Sequence, residues 1–155
     1  LRPVLEAVAH KSGGTAWLAV PSGDQAAYLD IVDPNGLCAG WPSVPVRENL
    51  EGSAVGWVFL ACVPGLGKRV MATRANALDA DVLSRIEDVR IKGYALDLQA
   101  YRPGLNGVAI PWRINGEVRA SLCLTGPPAQ FPQHRLIRLA WMMMRSLEQL
   151  DVQQY

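Results

Sequence analysis

Residues 93–127, GYALDLQAYRPGLNGVAIPWRINGEVRASLCLTGP, decide the fold because they read as three strands joined by two turn-rich connections. The dipeptide Asn115-Gly116 is typical of a two-residue hairpin turn, since such residues adopt positive φ at low steric cost. Residues 107–113 and 117–125 flank this turn. The sequence therefore predicts that these two segments pair as antiparallel strands.

Side chains alternate between the two faces of a strand, so the second arm of the hairpin divides into two sets. We expect one face to be core and to carry Val118, Ala120, Leu122 and Leu124, with Arg119, Ser121, Cys123 and Thr125 on the other. The first arm places Val108, Ile110 and Trp112 on one face and the small Gly107, Ala109 and Pro111 on the opposite face. The small and polar sets together favour either a small, mildly polar concavity or the half-solvated back of a sheet.

The composition favours one globular domain. The chain has 155 residues, of which half are apolar and 19% are charged, which is enough to bury a core. Its formal charge is +1 and no run of Lys or Arg stands out, so we expect no nucleic-acid surface. The apolar stretches 55–63 and 139–144 are far shorter than the ~20 residues that cross a bilayer, so we expect a soluble, cytoplasmic chain without membrane contact.

Cysteine usage argues against a structural disulfide or zinc site. Cys38, Cys62 and Cys123 are odd in number and lack CxxC or Cys/His metal spacing. We therefore expect free thiols, no metal and no cofactor. The chain opens with Leu1 rather than Met, so we also expect a processed or shortened chain whose missing part has room for another domain.

The remaining elements predict an α+β domain. We expect helices at residues 3–11, 52–62, 79–92 and 132–150, and strands at 15–20, 26–32 and near 43–48. The inward-facing residues of the helix at 79–92 are expected to be Val82, Leu83, Ile86 and Val89. Together with the three strands of residues 93–127, this order favours an antiparallel sheet of five or six strands packed with helices.

The start of the helix at residues 52–62 has two interpretations. Ser53 is a candidate N-cap, and amides that are exposed at a helix start suit an anion such as a carboxylate. Alternatively, Gly52, Ala54 and Gly56 are small only because the helix packs closely on a sheet.

The helix at residues 132–150 has an unusually broad apolar face. Trp141 and three consecutive methionines widen this face beyond a single stripe. We therefore expect the helix to be covered, either by the first helix or by another subunit.

Four stretches of the sequence are shared with a known family: RPVLEAVAHKSGGTAWLAV at the start, then GSAVGWVFLAC, RIKGYALD and GLNGVAIPWRINGEVRASLCLTGP. On these motifs the chain resembles, over essentially its whole length, the C-terminal effector-binding domain of the IclR (isocitrate lyase regulator) family of bacterial transcription regulators. The resemblance implies a GAF-like (profilin-like) fold, a single effector-binding domain over residues 1–155 and a pocket for a small metabolite. It also implies an upstream winged helix-turn-helix domain that binds DNA and is not in this chain.

The resemblance further implies which residues line the pocket. Backbone amides near Ala54 and Val55 would bind a carboxylate, together with contacts from Asp97, Gly107, Cys123 and Thr125. Cys123 and Thr125 fall on the strand face that alternation selects. Trp41, Leu50 or Trp112 would supply an apolar wall, with the alternative that each is an ordinary core residue.

The sequence departs from the family at several of these positions. Glu51 stands where many relatives have His, Trp57 where Lys is usual, and Ala100 where Glu usually follows the Gly-Tyr strand. We therefore expect no family metal site and an effector that differs from the usual one. Gly107 stands where some relatives have Cys or Ser, which enlarges the pocket or removes a polar contact.

Three functions follow from these patterns. The first is a sensor that binds a small carboxylate between the sheet and residues 37–52, which changes how the subunits of a homodimer or tetramer hold their DNA-binding domains. The second is a thiol-dependent GAF-like enzyme that uses Cys123, although no spacing links His10 or His134 to it as a base. The third is a dimerisation domain with a vestigial pocket. We adopt the first and expect no catalytic residue.

Overall fold

The computed structural model describes residues 1–38, 46–72 and 80–153 and contains one six-stranded antiparallel sheet. The strands are β1 Thr15–Ser22, β2 Gln25–Val32, β3 Val46–Asn49, β4 Ala95–Leu98, β5 Asn106–Ile114 and β6 Glu117–Gly126. They are ordered β3-β2-β1-β6-β5-β4, and every neighbouring pair is antiparallel. The predicted α+β class and antiparallel sheet are confirmed, with an early strand and a late strand at the centre.

The described residues form the helices α1 Arg2–Ser12, α2 Ala54–Cys62, α3 Leu66–Ala72, α4 Ala80–Lys92 and α5 Gln133–Gln153. All but α3 correspond to predicted helices. The prediction missed α3 because Gly65, just before it, and Gly67, in its first turn, indicate a turn rather than a helix. Asp79, Trp41 and parts of the predicted strand 43–48 and cover 37–52 lie outside the described residues.

The β5–β6 hairpin forms as predicted. Asn115 and Gly116 adopt φ angles of 54° and 81°, which are the positive values that a tight two-residue hairpin requires. Beyond the turn, the register pairs Gly107 with Thr125 and Ala109 with Cys123. Directly opposed residues share a face of the sheet, so the small residues of β5 lie beside the polar side chains of β6.

A β-bulge near the turn changes the face of Val118. The register pairs Trp112 with Ala120 but Arg113 with Val118, so that Arg119 is an extra residue in β6. Val118 consequently packs against the core on the α2 side of the sheet. The prediction that grouped Val118 with the other core residues of its strand is wrong, because simple alternation assumes an unbroken ladder.

The sheet separates two apolar cores. On one face α1 and α5 pack over a core that includes Val108, Ile110, Leu122, Leu124 and Phe131. On the other face α2 packs over a core that includes Trp17, Tyr28, Phe59, Ala109 and Cys123. Because both faces are covered, the small and polar set on β5 and β6 cannot be a half-solvated surface.

The surroundings of this polar set confirm that it is enclosed. Ser121 and Cys123 are buried and Thr125 is half-buried. The Ser121 hydroxyl donates a hydrogen bond of 2.9 Å to the carbonyl oxygen of Ile110. The interpretation of these residues as the solvated back of a sheet is therefore wrong, because α2 covers them.

Helix α4 is less deeply packed than its pattern predicts. Val89 is the buried residue of this helix, whereas Leu83 is 46% exposed and Ile91 is 75% exposed. The prediction that Leu83 faces inward is wrong. Its physical reason is that α4 packs against α2 rather than flat on the sheet, so only a narrow strip of the helix is covered.

The broad apolar face of α5 is used mainly inside the domain. Leu136, Ala140 and Met143 are fully buried against the sheet, and α1 packs on α5 as one of the two expected covers. Trp141 is the exception, because it is 54% exposed. The breadth of the face is thus largely explained without a second subunit.

Gly56 brings α2 into direct contact with the chain that precedes it. A Cβ atom added at Gly56 would lie 1.6 Å from the carbonyl oxygen of Leu50, a fully buried residue. The close-packing interpretation is therefore correct for Gly56, although the partner is the backbone at Leu50 rather than the sheet. Gly52 is different, since its φ of 86° favours glycine and an added Cβ would contact nothing within 4 Å.

We predict that Gly56→Ala lowers the free energy of unfolding by about 1–3 kcal/mol or more, because the new methyl group overlaps the Leu50 backbone. In a helix interior without this contact, the change from Gly to Ala would raise the free energy of unfolding by roughly 0.5–1 kcal/mol. The sign of the effect in urea denaturation therefore reports the contact. Ala61→Gly in the same helix is the control and should cost only about 0.5–1 kcal/mol. A Gly56→Ala protein as stable as wild type would contradict the packing.

Candidate functional site

A small cavity lies between the sheet and the first turn of α2. Its volume is about 40 Å³. The described lining residues are Trp17, Tyr28, Val46, Glu48, Ser53, Ala54, Val55, Asp97, Tyr101, Leu105, Gly107, Cys123 and Thr125. The six residues that the resemblance assigned to ligand contacts, namely Ala54, Val55, Asp97, Gly107, Cys123 and Thr125, all belong to this lining.

The floor of the cavity follows from the strand register. Asp97 is opposite Gly107, and Gly107 is opposite Thr125, so these three residues form one row across β4, β5 and β6. Cys123 lies in the next row, opposite Trp17 of β1. A Cβ atom at Gly107 would be 3.1 Å from the Thr125 methyl carbon Cγ2, so glycine keeps the middle of this floor open.

The Thr125 hydroxyl is held by Trp17. The indole Nε1–H of Trp17 donates a hydrogen bond of 3.0 Å to Thr125 Oγ1. Since an indole N–H only donates, the hydroxyl oxygen is the acceptor and its own hydrogen points to another partner. The Thr125 hydroxyl can therefore still donate a hydrogen bond, and Cys38 is a second partner within reach of it.

The first turn of α2 forms the opposite side of the cavity. Ser53 Oγ accepts a hydrogen bond of 3.0 Å from the Gly56 amide, which confirms the predicted N-cap. The amides of Ala54 and Val55 belong to the first turn, so the helix itself offers them no carbonyl acceptor. Both residues line the cavity, and their backbone donors are thus at the end of a helix where negative charge is stabilised.

Asp97 is a buried acid that also organises the chain after β4. Its Oδ1 accepts hydrogen bonds from the amides of Ala100, at 2.9 Å, and Tyr101, at 3.2 Å. Burial raises the pKa of this carboxyl group, against the opposing effects of the two amides and of the Arg85 charge. Asp97 is therefore closer to protonation than an ordinary surface aspartate.

Cys123 has none of the features of an activated thiol. Burial raises its pKa above the ordinary range, and the nearby Asp97 and Cys38 raise it further. The two histidines that could act as a base, His10 and His134, are exposed on α1 and α5, the helices that cover the opposite face of the sheet. The thiol is consequently neutral at physiological pH, and thiolate is the form that nucleophilic chemistry needs.

Several lining residues were not predicted. Trp17 and Tyr28 reach the cavity from β1 and β2, Glu48 from β3, and Tyr101 and Leu105 from the β4–β5 connection. Their positions depend on pairings between distant parts of the chain, and the sequence signal for those pairings is weak. These residues form most of the apolar wall.

The two described residues that the sequence suggested for an apolar wall are core residues outside the lining. Trp112 packs with the core on the opposite face of the sheet, so its assignment to the pocket is wrong. Leu50 is buried in the core on the α2 side, behind Gly56, and is not part of the described lining. Trp41 lies outside the described residues.

The positions that depart from the family do not converge on a metal site. Within residues 1–38, 46–72 and 80–153, no group of three or more His, Cys, Asp or Glu side chains is placed to hold an ion. Trp57, one of these positions, is instead stacked under the Arg85 guanidinium, whose carbon is 4.5 Å from the ring centre. Over the same residues, no helix has the length and apolar character that a membrane span requires.

The fold and the cavity together define a GAF-like α+β domain, with a six-stranded antiparallel sheet covered by helices on both faces. Residues 1–152 match the model of the family described as bacterial transcriptional regulator IclR, C-terminal. The chain therefore belongs to the IclR family of bacterial transcriptional regulators and corresponds to the C-terminal part of such a protein. The family is one of regulators rather than enzymes, in agreement with the unactivated Cys123 thiol.

Individual relatives agree with this assignment. The chain is 26% identical to the HTH-type transcriptional regulator BhcR of Paracoccus denitrificans, over 97% of this chain and 57% of that protein. The IclR structure from Thermotoga maritima superposes with a TM-score of 0.82 at 22% identity, covering 95% of this chain and 64% of the other. An IclR-family regulator from Brucella abortus gives 0.78 at 19% identity, with 96% and 61% covered. The chain thus spans little more than half the length of its curated relative.

The raised pKa of Asp97 predicts a pH-dependent contribution to stability. As the pH rises from about 4, the unfolded chain releases this proton first, so Asp97 contributes less and less to stability until its folded pKa is passed. Asp97→Asn keeps a side-chain oxygen for the amides of Ala100 and Tyr101 but does not titrate. The unfolding free energy of Asp97→Asn, measured in urea, should therefore increase relative to that of wild type as the pH rises from about 4 to about 7.

Asp97→Ala is the control for this prediction. It removes the acceptor of both amides, so it should cost about 1–3 kcal/mol across the same pH range. A constant difference between wild type and Asp97→Asn would contradict the burial of an ionisable group at this position.

Proposed function

We propose that this chain is the sensing domain of an IclR-type regulator and binds a small carboxylate in the cavity beneath α2. The observation that carries the proposal is that residues with three kinds of polar group line one cavity. These are the first-turn amides of Ala54 and Val55, the Thr125 hydroxyl and the Asp97 carboxyl group. A ligand with a carboxylate at one end and a polar group at the other completes the hydrogen bonding of all three.

The charges of the lining determine how such a ligand lies. Glu48 and Asp97 are both acidic, and the described lining holds no Lys, Arg or His. A carboxylate is therefore favoured only at α2, where the helix start stabilises negative charge. The other end lies near Asp97, and a hydroxy or oxo group fits there because it pairs with a carboxyl group of raised pKa without bringing a second negative charge.

The cavity volume sets the size of this ligand. With a volume of about 40 Å³, the cavity favours a small ligand. Hydroxy- and oxo-acids of about two to four carbons are therefore the class to test first.

The wider role follows from the family and is part of the same proposal. The chain is the regulatory part of a cytoplasmic, homodimeric or tetrameric transcription regulator, in which an N-terminal domain binds DNA. The sequence is nearly neutral, with a formal charge of +1, so this part is not expected to bind DNA by itself. Binding of the acid changes how the subunits are held and thereby how the DNA-binding domains are spaced.

Thr125→Val tests the ligand site most directly. We predict that it weakens binding of the preferred acid by about 1–3 kcal/mol, because a buried polar group of the ligand loses its partner. Calorimetric titration with hydroxy- and oxo-acids of about two to four carbons measures the effect. Thr125→Ser is the matched control, since it keeps the oxygen that accepts from Trp17 and offers the same donor to the ligand. Equal affinity of folded Thr125→Val and wild type would overturn the site.

Ala54→Pro examines the opposite end of the ligand. Proline is tolerated in a first helical turn, and Ser53 already has the extended backbone, with φ −92° and ψ 152°, that a residue before proline prefers. The substitution removes one amide donor at α2. Carboxylates should therefore lose more affinity than the corresponding primary amides, and equal losses would place the carboxylate elsewhere.

The assembly state gives an independent prediction. Trp141 and Ile91 are large apolar side chains that remain more than half exposed, which favours burial between subunits. We expect light scattering to give a dimer or larger assembly at micromolar concentration. A monomer under these conditions would count against the proposed role of subunit contacts.

A further inference from the structure

The cavity beneath α2 is separated from a second, larger space by two side chains. The outer space is a cleft of about 480 Å³ lined by Gln25, Arg47, Glu48, Asn49, Glu51 and Tyr101. Glu48 and Tyr101 also line the inner cavity of about 40 Å³. These two residues, which we call the partition, are therefore the wall that the two spaces share.

The Tyr101 side of the partition is built by hydrogen bonds along its own connection. The Tyr101 amide donates to Asp97 Oδ1 at 3.2 Å, and the Gly104 amide donates to Gln99 Oε1 at 2.9 Å. Gln99 itself has a φ of 61°, a value that residues other than glycine rarely adopt and that folds the chain back after β4. The backbone that carries the ring is thus held in an ordered turn.

The Glu48 side of the partition comes from the edge of the sheet. Glu48 is opposite Ala26, and two residues earlier Val46 is opposite Tyr28. Val46, Glu48 and Tyr28 all line the cavity, so this face of β3 is turned towards the ligand site. An edge strand presents its side chains in a fixed alternation, and Glu48 is consequently directed at the boundary of the two spaces.

We propose that the partition of Glu48 and Tyr101 sets the length of the acid that this domain accepts. This inference rests on the proposed function, because it concerns the ligand of the same cavity. In this proposal the carboxylate lies at α2 and the far end of the ligand lies at the partition, where the ring of Tyr101 stops it. If the ring is removed, the inner cavity joins the outer cleft and the ligand can extend into it.

The number of carbon atoms in the acid is therefore the property to vary. An added carbon that does not fit must displace packed side chains, which weakens binding by about 5- to 150-fold. An added carbon that finds open space with apolar surface strengthens binding by up to about fourfold. The difference between these two outcomes is large enough to locate the wall.

The experiment is calorimetric titration of the full chain with unbranched 2-hydroxy acids of increasing length, from glycolate to 2-hydroxyoctanoate. The opening variant is Tyr101→Ala, and Glu48→Ala opens the same boundary from the other side. Tyr101→Phe keeps the ring, so its length limit should match that of wild type. Gln25→Ala alters the outer cleft without touching the inner cavity and should also keep the wild-type length limit. Circular dichroism establishes that each variant is folded.

We expect wild type, Tyr101→Phe and Gln25→Ala to bind the short acids and to lose at least about fivefold in affinity beyond a sharp length limit. The two opening variants should bind the longer acids within about fourfold of the short ones. Suppose that wild type binds short acids and that both opening variants show the same length limit as wild type. This result would overturn the role of the partition and leave the proposed function intact. Binding of no acid by any folded protein would overturn the proposed function itself, and the partition with it.

Discussion

The contact between Gly56 and the backbone at Leu50 is the constraint on which the ligand cavity depends. With only 1.6 Å between a hypothetical Cβ and the Leu50 oxygen, no other residue lets α2 begin at its present place. That place puts the amides of Ala54 and Val55 opposite the row formed by Asp97, Gly107 and Thr125. The helix start and the sheet floor are separated by a space of about 40 Å³, so a displacement of the helix by even one atomic diameter would close or open it.

Small residues on both sides, Gly56 at the helix and Gly107 on the sheet, thus have complementary effects. The first brings the walls together, and the second keeps a gap between them.

The polar groups at this gap come with an energetic cost in the protein without ligand. A buried donor or acceptor that lacks a partner costs about 1–3 kcal/mol, which is large compared with the net stability of a domain. The structure reduces the cost by local bonds, since Ser53 caps Gly56, Trp17 donates to Thr125, and the amides after β4 donate to Asp97. The proposed ligand would add its own hydrogen bonds to these groups. Such a ligand adds to stability by mass action, in proportion to the logarithm of its excess over Kd.

Local patterns predicted the parts of this structure that depend on neighbours in sequence. The Asn115-Gly116 turn, the division of β5 into bulky and small faces, and the Ser53 cap all follow from rules that act over a few residues. The errors lie where distant segments meet. Val118 changes face because of a bulge in the ladder with β5, and Leu83 is exposed because α4 packs on α2 instead of the sheet.

The same distinction holds for the cavity. Cys123, Thr125 and Gly107 are found by alternation within one hairpin, and the resemblance to a known family supplied Asp97 and the α2 amides. Trp17, Tyr28, Glu48 and Tyr101 were missed because each depends on the lateral order of strands or on the path of a connection. Periodicity contains neither kind of information. The residues that close the cavity were therefore harder to predict than those that form its floor.

The arrangement of the two cores limits how a bound ligand can influence the rest of a regulator. The face covered by α1 and α5 is packed with large aliphatic and aromatic side chains, and such interiors resist gradual deformation.

The α2 side contains the cavity, and its helix contacts α3 and α4 as well as the sheet. Strands β5 and β6 belong to both cores, so they are the least able to move when a ligand binds at Thr125. If the proposed acid binds in the cavity, α2 and its neighbouring helices are therefore the layer that can respond more readily than the sheet. The exposed apolar residues Leu83 and Ile91 lie on α4, which packs on α2, so this layer also carries exposed apolar surface.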